Sequence, residues 1–409
     1  MTTMTQRPAR SSYDVVIIGG AVIGASVAWH LATSPDFTGT VLVIERDPSF
    51  KTSSTALSSS SIRVQFSHAT NVAMSLHAGQ VIADWPEMMG SGADKPSLGY
   101  HPGGYLFLAE TPAQEAELRA NHAVQRAAGA DVSLWSPEEL GAAFPHLHTT
   151  DIRLASYGHS GEGWFDSAMM MQGYRARARD HGAELLTGEV TALTRSGHRI
   201  THVTLASGET IAAGHVVNAS GPRAALTARM AGLHIPVEPR KRTSFVFDCA
   251  QSPEGSATVN AGRLPLMIDP SGIYVRPEGR YFLTGCAPPV DTAADFDDFE
   301  PRHQDFEDII WPALAARSTA FEALKVVNYW AGHYAMNTLD HNLVVGPSEE
   351  VENFHFANGF SGHGLQQAPA VGRGLAELIT HGRYTSLDLA PMGYARIAAA
   401  ARQLETAVI

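Results

Sequence analysis

The sequence predicts an α/β fold with a Rossmann-type dinucleotide-binding domain and a second domain built on a mixed or antiparallel sheet. Three observations carry this. The stretch Tyr13–Ala32, YDVVIIGGAVIGASVAWHLA, reads strand, glycine-rich turn, helix. An acidic residue closes the next strand. From about residue 237 to 330, strands of alternating character replace the strand–helix rhythm.

Val15–Ile18 is a continuous apolar run, which suits a strand buried on both faces. The turn Gly19-Gly20-Ala21-Val22-Ile23-Gly24 follows. Gly19 allows a sharp turn, the small Ala21 lets a pyrophosphate approach the backbone, and Gly24 lets helix pack on strand. Ala21 departs from the glycine that the fingerprint prefers and costs one methyl of clearance. The helix then offers unpaired N–H groups to an anion. A second strand, Val41–Ile44, ends in Glu45, 21 residues after Gly24. That spacing places a carboxylate where it binds the ribose hydroxyls of an adenine dinucleotide. The run TSSTALSSSS at 52–61 is a loop able to wrap a ligand with hydroxyls and amides.

Residues 70–90 and 111–129 read as amphipathic helices, the second opened by Thr111-Pro112 and closed near Gly129. Asp166 caps a further helix that runs to Gly182. Short strands at 184–186, 189–194, 199–206 and 210–212 read as an antiparallel ribbon with turns at Ser196-Gly197 and Ser207-Gly208. His215–Asn218 is another buried strand, followed by Ala219-Ser220-Gly221-Pro222. The second domain shows strands at 244–247, 272–276, 281–285 and 325–330, interrupted by a helical segment at 303–317. The acidic stretch Asp291–Asp298 reads as a solvated loop. Strands return at 343–345 and 354–357, and the glycine-rich Asn358–Gly364 leads into a helix from Leu365 to about Thr380. The nucleotide domain is therefore discontinuous, at 13–90, 151–236 and 336–397. The second domain takes 91–150 and 237–335, and 1–12 is a disordered tail.

At 409 residues the chain can bury more than one core. With 44% hydrophobic and 17% charged residues it is an ordinary globular composition. A net charge of −12 argues against nucleic acid or an anionic membrane as partner. Cys249 and Cys286 form no CxxC, which excludes a disulfide framework and a cysteine-rich metal site and suits free thiols in a reducing compartment. No metal is expected. The polar first dozen residues are not a secretory signal, and no apolar run approaches ~18 residues. The expected location is the cytoplasm.

Five segments together carry a resemblance. The fingerprint, VVNASGP at 216–222, NGFSGHGLQQAPAVGRGLAEL at 358–378, STALSSSSIRVQFS at 54–67 and WAGHYAMNTLDHNLVVGP at 330–347 together resemble the D-amino-acid oxidase/sarcosine oxidase (DAO) superfamily of FAD enzymes. The likeness runs from about 13 to 397. It implies an FAD domain roofed by the sheet of a substrate domain, and oxidation of a C–N bond. A hydride passes from the carbon beside the amine to flavin N5, and water hydrolyses the imine.

The resemblance also implies a site. Gly19, Ala21, Val22, Ile23, Gly24, Glu45, Arg46, Val190, Ala219 and Gly221 hold the adenosine and pyrophosphate. Ser53, Ser54, Thr55, Ser61 and Ile62 wrap the pyrophosphate and ring edge, and Arg63 is the basic residue beside the flavin. Gly359, Phe360, Ser361, Gly362, His363, Gly364, Leu365 and Gln366 cradle the ring, with the amides near Gly364 aimed at its N1 and C2 carbonyl. Arg63, His333 and Gly364 are the expected catalytic groups, and Arg276, His333, Tyr334 and Gln366 the pocket wall. His333 stands where sarcosine oxidases carry a flavin-linking cysteine, which implies noncovalent FAD. Their carboxylate-clamping Arg and Lys correspond to Phe66 and Gln366, so a substrate carboxylate is held differently, with Arg276 and Arg63 as candidates. Their oxygen-activating lysine corresponds to Leu283, which leaves O2 or another electron acceptor open. The expected function is oxidation of a secondary amine or N-substituted amino acid. A 2-hydroxy-acid dehydrogenase and a non-catalytic flavoprotein assembly factor remain as alternatives.

Overall fold

The computed structural model describes residues 4–90 and 95–407. Two eight-stranded sheets, joined by a small ribbon of 61–62 with 163–164, form the architecture. The first sheet runs 344–347, 354–358, 210–218, 12–18, 41–45, 184–187, with the hairpin 190–205 attached to 210–218. Its central pairings are parallel. Val15 and Ile17 pack on one face against the helices 22–33, 69–89, 167–180 and 364–381, and Val16 and Ile18 pack into a second core on the other. Burial on both faces is why this strand carries no polar alternation.

The chain leaves strand 12–18 toward one side and later returns on the other. A crevice opens where the strand order reverses, at the carboxyl ends of 12–18 and 210–218. Gly19 sits there at φ +104°, and a Cβ would lie 2.3 Å from the Ala219 carbonyl oxygen. A Cβ on Gly24 would lie 1.9 Å from the Gly19 oxygen, so helix 22–33 can approach the turn only through a glycine.

The expected antiparallel ribbon is corrected in two places. Strand 184–187 pairs parallel with 41–45. The segments 210–212 and 215–218 are one strand, antiparallel to the hairpin on one side and parallel to 12–18 on the other. Gly214 lies between the two segments. It marks a close approach to strand 12–18, since a Cβ there would lie 2.6 Å from the Asp14 oxygen. The tail expected at 1–12 is also corrected over its described part. Thr5 bridges to Leu186 in parallel, its N–H 2.8 Å from the Leu185 oxygen, and Ser12 begins the first strand.

The second sheet runs 324–337, 237–249, 281–285, 274–278, 266–268, 105–109, 154–158, 132–135. It is mixed, because 266–268 pairs parallel with 105–109. Strand 154–158, expected in the first domain, hydrogen-bonds here to 105–109 and 132–135. Its sequence LASYG is buried throughout and suits a strand of either sheet, so pairing alone decides its place. The expected boundary at 90/91 abuts residues 91–94, which lie outside the described residues. One face of this sheet packs Leu106, Phe245, Phe247 and Phe282 on the helices 137–143 and 311–317. The other presents Tyr105, Leu266 and Tyr274 to the crevice.

The acidic loop is not simply solvated. Asp291 accepts from both terminal nitrogens of Arg242 at 2.8 and 2.7 Å, and Asp298 accepts from Lys241 at 2.7 Å. Opposite charges dock it on strand 237–249. Among the described residues, no helix is long and apolar enough to cross a membrane.

Candidate active site

A cavity of about 330 Å³ lies between the crevice and the second sheet. Its floor is mostly backbone. Helix 22–33 starts at Ala21 and helix 364–381 at His363, both without a side-chain cap. Their first amides are therefore unpaired within the helix and sit at positive dipole ends. Both termini open into the same cavity, through Ala21, Val22 and Ile23 and through Gly364, Leu365 and Gln366. Thr55 Oγ1 reaches Val22 N at 3.3 Å, which ties the serine-rich loop to the first terminus. Glu45 accepts from Gly20 N at 2.8 Å and Asp47 N at 2.9 Å, and burial raises its pKa. Gly362, at φ +94°, lies so close to the roof that a Cβ would stand 2.5 Å from the Tyr334 ring. Two uncapped helix ends, a ribose-height carboxylate and a glycine-lined cradle fit an adenine dinucleotide with a ring at its far end.

Arg63 lines the cavity and is 2% exposed. Its backbone N–H donates to Gln366 Oε1 at 2.8 Å, which joins strand 61–62 to the helix 364–381 terminus. Its guanidinium donates to the carbonyls of Gln65 and Ala407, lies 3.2 Å from His363 Nε2, and stacks 4.1 Å above the Phe66 ring. Burial pushes the His363 pKa well below the usual range, so this imidazole is a neutral acceptor. Burial lowers the Arg63 pKa too, but a guanidinium stays charged. Its three acceptors are all neutral groups.

The roof is made of side chains. Strand register puts Arg242, Ser244, Tyr274 and Tyr334 on one face. Ser244 and Tyr274 both sit opposite Gly285, and Arg242 sits opposite Gly332, two residues from Tyr334. The Arg242 guanidinium lies 5.1 Å from the Tyr334 ring centre. The Tyr274 hydroxyl is 3.2 Å from Ser244 Oγ, and the Tyr105 hydroxyl donates to Ser61 Oγ at 3.1 Å. Burial pushes Tyr105 up to about 12 and raises Tyr274 and Tyr334 as well, so the phenols stay protonated. Burial opposes the Arg242 charge, but its hydrogen bonds to Asp291 outweigh this and its pKa is raised.

Of the residues expected from sequence, Gly19, Ala21, Val22, Ile23, Glu45, Arg46, Ser53, Ser54, Thr55, Ser61, Arg63, Val190, Ala219 and Gly221 line this cavity, with Phe360, Gly362, His363, Gly364, Leu365, Gln366, His333 and Tyr334. Gly24, Ile62, Gly359 and Ser361 stand behind the wall. Ser361 accepts from Asn337 N at 3.0 Å and so braces the cradle. Arg276 is a correction. Its Nη2 and Nε donate to the Ser59 carbonyl at 2.8 and 3.2 Å, and it pairs with Glu278. It fastens the serine-rich loop to the sheet and does not line the cavity. His333 does line it, but on the strand face opposite to Tyr334. Its Nε2 is 2.7 Å from the Asp298 carbonyl and its ring stacks on Phe299 at 4.4 Å. Burial lowers its pKa, so it is neutral. Arg242, Ser244, Tyr105 and Tyr274 were missed. Arg242 is one of three cations in Arg240-Lys241-Arg242, and nothing in that run marks which one turns inward.

The family model for FAD dependent oxidoreductases, DAO, matches residues 14–378. FAD-dependent oxidoreductase domain-containing protein 1 of Bos taurus is 39% identical, over 95% of this chain and 85% of that protein. The mitochondrial dimethylglycine dehydrogenase of Mus musculus is 26% identical over 94% of this chain and 44% of its own. The crystal structure of L-proline dehydrogenase from P. horikoshii superposes with a TM-score of 0.82 and 27% identity, over 95% of this chain and 98% of that one. A match that spans the strand–turn–helix, both sheets and the glycine-rich loop places this chain in the DAO family of FAD-dependent oxidoreductases.

Proposed function

We propose that the chain oxidises the C–N bond of a secondary amine or N-substituted amino acid that carries a carboxylate, and that it holds FAD noncovalently. The observation that carries this reading is a cationic roof whose cavity-facing residues, Arg242, Ser244, Tyr105, Tyr274 and Tyr334, include no histidine or carboxylate. Arg242, packed on Tyr334 and steadied from behind by Asp291, offers a seat for a carboxylate. His363 Nε2 accepts from Arg63, and the phenols are held protonated. His333 donates from Nε2 to the Asp298 carbonyl, which leaves Nδ1 as its basic nitrogen, but it lies on the strand face opposite to Tyr334. A neutral amine needs no base, because its lone pair supports the positive charge left as hydride departs. A 2-hydroxy acid must lose a hydroxyl proton to a base. The roof therefore favours the amine.

Bound FAD supplies the two-electron acceptor. The protein's groups orient and stabilise. Arg242 and Tyr334 fix the carboxylate, and the Arg63 cation with the helix 364–381 terminus favours negative charge on the cavity floor. Dimethylglycine and proline, the molecules named for two relatives, share a substituted amine beside a carboxylate. Noncovalent binding is supported by His333, whose Nε2 is engaged, and by Cys286, whose thiol burial pushes up to about 11.

The test is anaerobic. Sarcosine, dimethylglycine, proline, lactate and 2-hydroxyglutarate are added in turn to flavin-loaded protein while its absorbance is followed. Bleaching by at least one amine is expected. Bleaching by the hydroxy acids alone would overturn the reading. Acid precipitation should leave the FAD in the supernatant, and colour retained in the pellet would contradict noncovalent binding.

A further inference from the structure

Residues 403–407 lie against residues 63–71, and the proposed chemistry makes no use of them. Glu405 is fully buried. Its Oε1 accepts from Ser67 N at 2.8 Å, Ser67 Oγ at 2.7 Å and Ala407 N at 3.0 Å, and its Oε2 accepts from Asn71 Nδ2 at 2.8 Å. Asp340 anchors the same segment, its carbonyl accepting from Glu405 N at 3.0 Å and its Oδ2 from Gln403 N at 3.0 Å. All the donors to Glu405 are neutral. A buried carboxylate is a costly way to hold a loop unless its charge has a further use.

Ala407 shows that use. Its N–H donates to Glu405, and its carbonyl accepts from the Arg63 guanidinium. Ala407 thus joins a buried carboxylate to a buried cation without bringing them into contact, through the N–H of the peptide before its Cα and the carbonyl of the peptide after it. Each of these two peptides turns the favourable end of its dipole to its partner, N–H to Glu405 and carbonyl oxygen to Arg63.

We propose that residues 403–407 are a strap that positions Arg63, with Glu405 as the positioning residue. Glu405 fixes Ala407, whose carbonyl works with Gln65 O and His363 Nε2 to hold the guanidinium toward the cavity. The three acceptors are neutral, so no carboxylate touches the guanidinium; the Glu405 and Glu162 charges reach it only through space and support its protonated form. Asp291, by contrast, touches Arg242 directly. A cation on the cavity wall serves the negative charge that a flavin ring gains on reduction. The inference rests on FAD occupying this cavity and not on the identity of the amine.

The test is a double-mutant cycle on the flavin-loaded protein. The bound flavin's midpoint potential and its affinity for sulfite, an anionic probe, are measured in wild type, Glu405→Ala, Arg63→Gln and the double variant. Glu405→Ala is expected to lower the potential and weaken sulfite binding about 5- to 10-fold, with no further loss once Arg63 is gone. Glu405→Gln keeps an oxygen for Ser67 and Ala407 and should recover most of the effect. If Glu405→Ala lowers only the melting temperature, or shifts both readouts equally with and without Arg63, the proposal is overturned. Where Glu405→Ala yields no flavin-loaded protein, Ser67→Ala takes its place with the same two outcomes. Neither readout uses an amine, so failure here is distinct from failure of the amine screen.

Discussion

The floor of the cleft is backbone contributed by short contiguous segments, whereas the roof is side chains gathered from four separated strands. On the floor, Gly19–Gly24 and Phe360–Gly364 each deliver a turn and a helix terminus within a few residues. On the roof, Tyr105, Arg242, Tyr274 and Tyr334 meet only because the strands pair in one register. The floor suits an anionic dinucleotide, in keeping with the FAD named for the family. The roof is free to vary with substrate, since changing one side chain there leaves the backbone cradle intact.

The sharpest way to break this contrast is to put a side chain on the floor. Gly19→Val combines a forbidden φ with a clash against Ala219, and strain of this kind costs about 3 kcal/mol or more. FAD affinity should fall at least ~100-fold, measured by quenching of free FAD fluorescence. Near wild-type binding would show that the floor is not fixed by its backbone.

Next in size is the roof. Arg242→Met should leave FAD content unchanged while kcat/KM for a carboxylate-bearing amine drops about 30- to 100-fold, or ~2–3 kcal/mol. The loss should fall mainly on KM, and an amine without a carboxylate should be indifferent to the change. Loss of flavin in this variant would mean that floor and roof are not separable.

The seam between the halves gives a smaller, pH-dependent effect. Glu162 accepts from Val64 N at 2.7 Å and from Gln65 Nε2 at 3.0 Å, and Gln65 in turn donates to the Tyr105 carbonyl at 3.1 Å. Burial pushes the Glu162 carboxyl from 4.5 up to about 7. The folded state therefore binds a proton between those values that the unfolded state has released. The contribution is fully present below pH 4.5, declines as pH rises toward about 7, and is flat above that. Its slope is at most ~1.4 kcal/mol per pH unit. Glu162→Gln should flatten it, as read from urea midpoints across that range. An unchanged slope would remove Glu162 from the seam's energetics.

The smallest effect belongs to Tyr274→Phe. It removes one neutral hydrogen bond to Ser244 and should lower kcat/KM about 2- to 5-fold with no change in FAD affinity. A loss as large as that of Arg242→Met would make Tyr274 a principal contact and not a support.

The same division decided what could be read from the chain. Gly19, Gly24 and Glu45 were legible because their spacing is a local constraint: a turn, a close approach and one strand's length. Gly362 and Gly364 were legible for the same reason. Arg276 shows the limit. It shares a strand face with Tyr274, but its longer side chain reaches the Ser59 carbonyl instead of the cavity. Arg242 shows the converse: register puts it on one strand face with Arg240, and of the two only Arg242 lines the cavity. Strand 154–158 went to the second sheet although its apolar run suited the first equally well.

By itself, then, the sequence determined the strand–turn–helix at 13–32, the carboxylate that closes the second strand and the glycine-rich turn that opens helix 364–381. These features depend on φ angles, residue size and spacing within a few residues. The tertiary structure alone decided which strands belong to the roof, which arginine faces the cavity, and that residues 403–407 return to Arg63. Those outcomes depend on pairing between segments far apart in the chain. The free energy of such pairing is a property of both partners together, and neither segment encodes it alone.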